Sequence, residues 1–256
     1  MRILFKLVVA LLLLSALSYF TYKGYDQSWT GFQGYTNNKS EFVPPKKLWD
    51  WFQLLIVPIL IAFGVWWLNK SQKNSDQKVE TDRQRQRTLE DYFNYMTTLL
   101  LKEHLRDSTK NKEARILSRT RTLSVLRSLD GDRKGQVIQF LYESGLIYKN
   151  PIVRLTGANL RHADLNSATL IGAEIRGVYL HDAQLKGVNL LEADLRGSVF
   201  YGANLSNADM TKANLIQAVF AGAKLTKADL TGATLVGPEL KKAKSKRAKL
   251  QNLNRC

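Results

Sequence analysis

Arg161, His162, His181, Asp182 and Tyr201 are the residues of this chain whose types and spacing could do chemistry. His162 and Asp182 stand twenty residues apart, as do Arg161, His181 and Tyr201, so a chain coiling every twenty residues would stack them in two adjacent outward columns. A histidine beside a carboxylate, with Arg and Tyr next to it, has the make-up of a general acid–base pair. Catalysis also needs a concave site that excludes water and positions a substrate, and columns on a convex wall supply none. The chain carries no nucleophile elbow, phosphate loop or HExxH pattern. With three His and the single Cys256, an intrachain disulfide and a thiolate metal cluster are both excluded. The sequence therefore predicts no catalytic residues, no cofactor and no metal.

Whether those columns exist depends on the elements that carry them. From Leu155 a large apolar residue recurs at every fifth position through Leu160, Leu165, Leu170 and Ile175 to Leu240, with Phe200, Met210 and Phe220 among them. Two residues before most of these stands Ala, or a small substitute such as Val178, Val188 or Ser198. On an α-helix a step of five rotates the side chain by about 500°, which spreads the leucines over every face. On a strand an odd step alternates faces. The pattern instead requires a backbone that turns a corner every five residues, each side pointing two residues inward, one large and one small, to fill the axis densely. Gly157, Gly172, Gly177, Gly187, Gly197, Gly202, Gly222, Gly232 and Gly237 fall at the outward turn position. Stacked coils would lie about 4.8 Å apart, joined by backbone hydrogen bonds. Phe200 with Phe220 repeats at twenty residues and favours four sides, while the glycines at 157, 172, 187, 202 and 232 fit fifteen as well.

Units such as Ala158-Asn159-Leu160-Arg161-His162 and Ala193-Asp194-Leu195-Arg196-Gly197 resemble the pentapeptide repeat family. That resemblance implies a right-handed quadrilateral β-helix and so selects four sides. Leu129–Gly135 and Phe140–Leu146 are similar to the helical lead-in of membrane-anchored bacterial, especially cyanobacterial, members. Some members of the family inhibit DNA gyrase by imitating the acidic outline of DNA; this repeat region carries more Lys and Arg than Asp and Glu, which disfavours that role.

Ahead of the repeats, Ile3–Tyr22 is apolar apart from Lys6 and a few hydroxyl residues, about the length that crosses a hydrocarbon layer. It reads as a transmembrane helix, or as a signal segment ending at Ala16-Leu17-Ser18. Trp49–Leu68 reads as a second span, with tryptophans at both ends and Pro58 kinking its middle. Lys70, Lys73, Lys78, Arg83, Arg85 and Arg87 follow it, which places the remainder in the cytoplasm of a bacterial inner or thylakoid-type membrane. Helical periodicity then predicts a connector of three helices, with apolar faces at Leu89, Tyr92, Phe93, Met96, Leu99 and Leu100; at Ile116, Thr120, Leu123 and Leu126; and at Val137, Ile138, Phe140 and Leu141. The third helix is expected to cover the first coil through Phe140, Leu141, Leu146 and Ile147, and Arg115, Arg119, Arg121 and Arg127 to form a solvated face.

The expected fold is thus a β-solenoid preceded by two membrane helices and a small helical connector. Its parts are 1–22 (membrane helix or signal-anchor), 23–48 (extracytoplasmic loop), 49–69 (membrane helix), 70–150 (connector) and 151–256 (repeats with a basic tail). Two apolar columns, Tyr179 with Val199 and Val219, and Ile171 with Leu191, form the candidate interaction surface, because most equivalent positions hold Asn or Asp. A formal charge of +16 favours acidic partners, and Lys70, Lys73, Lys241, Lys242, Lys246 and Arg247 are the candidate contacts to an anionic surface. Pro238, Ser245 and the lysines that follow should blunt the open end of the coil. The expected partners are a lipid bilayer, a separate protein and a second copy of the chain. A non-enzymatic membrane-anchored scaffold is the first functional reading; a nucleic-acid-associated regulator, working through the basic connector and tail, is the disfavoured alternative.

Overall fold

The computed structural model describes residues 35–36, 42–43, 48–106, 112–235, 240, 243, 245–251 and 254–255; for 35–36, 42–43, 48–57, 71, 74 and 254–255 it describes the backbone alone. The chain divides into one unit ending at Lys78 and another beginning at Val79.

In the first unit a short antiparallel pair joins β1 (Tyr35–Thr36) to β2 (Phe42–Val43). Helix α1 then runs from Leu48 to Leu101 with Pro58 inside it. It passes the expected boundary at residues 69 and 70 unbroken, since neither Gly nor Pro stands between Val65 and Leu101. The expected pair of membrane helices is not borne out among the described residues. Among the described residues no helix is long and apolar enough to cross a membrane. Residues 1–22 lie outside the described residues, and the side chains described in the second stretch begin at Pro58. From there to Leu68 the helix rises only about 16 Å.

The second unit begins with the connector. The C-terminal part of α1 buries Leu89, Tyr92, Met96 and Leu99, as its periodicity predicts. Helix α2 (Lys112–Ser128) is turned relative to expectation: it buries Ala114, Ser118, Thr122, Val125 and Leu126 and exposes Ile116 and Leu117. The cause is the Tyr92 hydroxyl, which lies in the core and needs a partner; it meets Thr122 Oγ1 at 2.9 Å. Helix α3 (Gly131–Glu143) is N-capped by Asp130, whose side chain accepts from the Arg133 backbone N–H. Arg133 also reaches Asp82 on α1 at 2.8 Å, tying the first and third helices together.

From Leu155 to Leu235 every fifth residue is buried, with the residue two before it buried too except at the half-buried Ala168. Parallel bridges join residues twenty apart, as in Asn159 to Tyr179 to Val199 to Val219, so the coil has four sides. All sixteen turn positions from Gly157 to Gly232 adopt positive φ, half of them without glycine, as at His162, Asp182 and Lys212. The coil is held by inter-turn backbone bonds such as Leu160 N–H to the Tyr179 carbonyl at 2.9 Å. Inside, Phe200 and Phe220 stack at 4.8 Å with planes 1° apart.

The asparagines and aspartates before the central residue earn their frequency locally. At Asn159, Asp164, Asn189, Asp194, Asn204, Asp209, Asn214 and Asp229 the side-chain oxygen accepts the backbone N–H two residues on. This Asx turn fixes each corner where the chain changes side.

Helix α3 covers the first coil, but not through Phe140, which instead packs on Phe93 and Tyr92 of α1 at 5.0 and 6.3 Å. Contact is made by Gly131 and Gly135. A Cβ built on them would stand 2.2 Å from the His162 carbonyl oxygen and 2.0 Å from that of Asp164. The approach lets the Gly131 carbonyl accept from the Asp164 N–H at 2.9 Å, and Lys134 Nζ donate to the Arg161 carbonyl at 2.8 Å. Leu141, Leu146 and Ile147 are buried as expected. The Ile147 carbonyl also accepts from Glu174 N–H at 2.7 Å, so the open edge of the first coil is paired at two places.

At the other end the expected basic tail is corrected for its described part. Residues 245–251 continue the coil: Leu230 N–H donates to the Lys249 carbonyl, Lys249 bridges Asp229, and β3 (Thr234–Leu235) pairs in parallel with β4 (Asn254–Arg255). Ser245 occupies a central position without ending the repeat, because the turn bond from Ala248 N–H to its carbonyl still forms.

Candidate functional site

One wall of the solenoid differs from the others. The column Asn159, Tyr179, Val199 and Val219 is bridged in register, and Tyr179 and Val219 are 44% and 43% exposed. The column just past the corner adds two aromatic rings: His181 lies 6.2 Å from Tyr179 and 5.9 Å from Tyr201, itself 54% exposed. Five neighbouring side chains, Tyr179, His181, Val199, Tyr201 and Val219, therefore make one outward aromatic and apolar patch.

His181 is part of this surface. Its Nδ1 is buried and finds no hydrogen-bond partner among the described residues. Loss of hydration and the positive charge of Arg161 hold its pKa below the ordinary value against the opposing pull of Asp182. His162 and Asp182 occupy one column, as expected, but both are exposed turn residues with positive φ. Among the described residues no group of His, Cys, Asp or Glu could hold a metal ion.

The second expected column, Ile171 and Leu191, is half-buried. The Ile171 carbonyl accepts from the Tyr142 hydroxyl at 3.1 Å, so this column begins under the connector and offers less free surface.

The basic candidates separate. Lys70 rests over the Trp66 ring at 4.9 Å and Lys73 is exposed. Lys246 and Arg247 form an exposed turn of the last described coil, whereas Lys241 and Lys242 lie outside the described residues. Lys249 is paired with Asp229 at 2.9 Å. Two connector arginines expected to be solvated act as fasteners instead: Arg115 and Arg119 donate to the carbonyls of Pro151 and Thr156 at 3.2 and 3.1 Å.

Reasoning from sequence found the ladder but missed His181 and Tyr201 as its neighbours, although a twenty-residue register places them beside it. It also missed the Gly131 and Gly135 contact. The signal there was two glycines four apart within an otherwise regular helical pattern, the spacing at which both face one neighbour.

The pentapeptide repeat family model matches the chain in eight copies, over residues 153–183, 179–215 and 213–252. No curated protein matches it in sequence. Among solved structures, the chain is similar to a pentapeptide repeat protein of the Arabidopsis thaliana thylakoid lumen, at 32% identity and a TM-score of 0.31, over 35% of this chain and 59% of that one. A Nostoc pentapeptide repeat protein aligns at 22% identity and a TM-score of 0.28, over 47% of this chain and 94% of its own. HetL from Nostoc, a pentapeptide repeat protein involved in heterocyst differentiation regulation, aligns at 27% identity and a TM-score of 0.19, over 40% and 59%. With the five-residue sides, the twenty-residue register and the family match in hand, residues 153–252 of this chain are a pentapeptide repeat β-helix.

Proposed function

We propose that the chain is a membrane-anchored, non-enzymatic scaffold whose β-helix presents a rigid wall to a protein partner on the cytoplasmic side of a bacterial inner or thylakoid-type membrane. The observation that carries the reading is the patch around Tyr179, Val199 and Val219. These three side chains replace the Asn or Asp that would close a local turn, yet they are not buried in the core. Apolar and tyrosine side chains grouped on a rigid surface are the composition of interface centres.

Capture from solubilised membranes tests it. The intact chain and a Val199→Glu, Val219→Glu variant of unchanged circular dichroism would be compared by mass spectrometry. A protein recovered with the intact chain and lost with the variant supports the reading, and identical captures refute it.

Anchoring is supported by the apolar run Trp49–Leu68, whose side chains Ile59 to Leu68 are largely exposed, and by Lys70 and Lys73 directly after it. The chain is expected to stay with the membrane pellet after a carbonate wash; full release would remove this part of the proposal. Binding of nucleic acid is the competing reading. It predicts affinity that falls steeply with salt, while docking on the apolar patch does not.

A further inference from the structure

We propose that a cavity between the connector and the start of the β-helix binds a compact multivalent phosphate. The cavity measures about 670 Å³, a size that accommodates a small ligand, and lies between the end of α1, helix α2 and residues 150–156, with Glu174 and Arg176 on its far side. Four arginines line it, Arg106, Arg115, Arg154 and Arg176, and among the described residues Glu174 is the one carboxylate in the lining.

That carboxylate is already engaged. Glu174 holds Arg176 at 3.0 Å and accepts the Asn150 N–H at 2.9 Å, and Arg176 is shared with Asp194 at 2.9 Å. The other three guanidinium groups have no carboxylate partner among the described residues. Two of them are nevertheless fixed in place: Arg106 donates to the Ser144 carbonyl at 3.0 Å and Arg115 to the Pro151 carbonyl at 3.2 Å. A guanidinium has five N–H donors, so each retains others for a ligand.

Three like charges gathered in one cavity repel one another, a cost that an anion of similar charge removes. Guanidinium forks match the oxygens of phosphate in paired hydrogen bonds, and a multivalent phosphate concentrates several negative charges within this small volume, as a single carboxylate does not. Phosphate of this kind comes either as a soluble compound or as a phosphomonoester lipid headgroup.

The test is calorimetric titration of inorganic pyrophosphate into the full chain in neutral detergent. Saturable binding is expected, weakened about tenfold by Arg154→Gln, as removing one charge-assisted contact implies. It should be abolished by Arg106→Gln with Arg154→Gln, and unchanged by Arg247→Gln in the last described coil. Arg154 is exposed and makes no hydrogen bond or ion pair among the described residues, so its variant keeps the test valid if the double variant misfolds. Competition by short-chain phosphatidic acid would identify the lipid source, and its absence the soluble one. The proposal is overturned if pyrophosphate does not bind, or if it binds the Arg154→Gln chain as tightly as the unchanged one.

Discussion

Two opposite walls of the β-helix share a backbone and differ in what they show to water. On one, Leu160 and Phe200 donate across the turn to Tyr179 and Val219 at 2.9 and 2.7 Å; on the other, Leu170 and Met210 donate to Asn189 and Asp229 at 2.8 and 2.7 Å. The second wall adds Asx turns at Asn189, Asp209 and Asp229, and on the first wall only Asn159 makes one. The coil therefore forms equally well without the Asn or Asp, and the apolar residues that take their place are not demanded by packing. Folding tolerates the first wall's composition, and the proposed docking of a partner would give it a use.

Inward substitutions should first erase the difference. Phe220→Ala removes half of a buried aromatic stack and is expected to cost about 3–5 kcal/mol, and Met210→Ala behind the opposite wall about 2–5 kcal/mol. Chemical denaturation measures both; a cost below 1 kcal/mol for either would mean the walls do not share one core.

At the end where both walls begin, Gly135→Ala forces a methyl group against the Asp164 carbonyl oxygen. A loss of about 1–3 kcal/mol is expected, with faster amide exchange at Asp164, whose N–H bonds to Gly131. Unchanged exchange there would refute the close cap.

The outward face then separates the walls. Asp229 is held down to a pKa of about 2, first by the Thr231 hydroxyl and then by Lys249. Since its folded value lies below the unfolded 3.8, the stabilisation is complete above about pH 4 and is lost as pH falls toward 2. Asp229→Ala is expected to cost about 1 kcal/mol at pH 7 and to flatten that acid dependence. Among the described residues the apolar column has no carboxylate, so the smallest effect belongs there: Val199→Thr with Val219→Thr should change stability by no more than about 0.5 kcal/mol each. A larger loss would make the ladder structural.

The repeat was legible because its rule is local. Each central Leu, small residue and corner Gly repeats the same environment every five residues, and the aspartates and asparagines close turns with their own backbone. Even the left-handed corners at His162 and Lys212 are implied by register with the glycines. The connector was less legible because its contacts are between elements. Nothing in the pattern of α2 says that Tyr92 will bring a hydroxyl to Thr122, so the helix face was misplaced and Ile116 was assigned inward. For the same reason Phe140 was aimed at the coil when two aromatic rings of α1 awaited it. The site divided along the same line: the ladder followed from register, and the arginine fasteners depended on which carbonyls lay within reach.

The most direct measurement is site-specific photocross-linking in cells from one residue on each wall, with a benzophenone side chain at Val219 and, in a separate chain, at Asp209. Both positions precede a buried central residue and face outward. The account predicts a discrete cross-linked protein from position 219 and none from position 209. The same product from both, or none from 219, would contradict it.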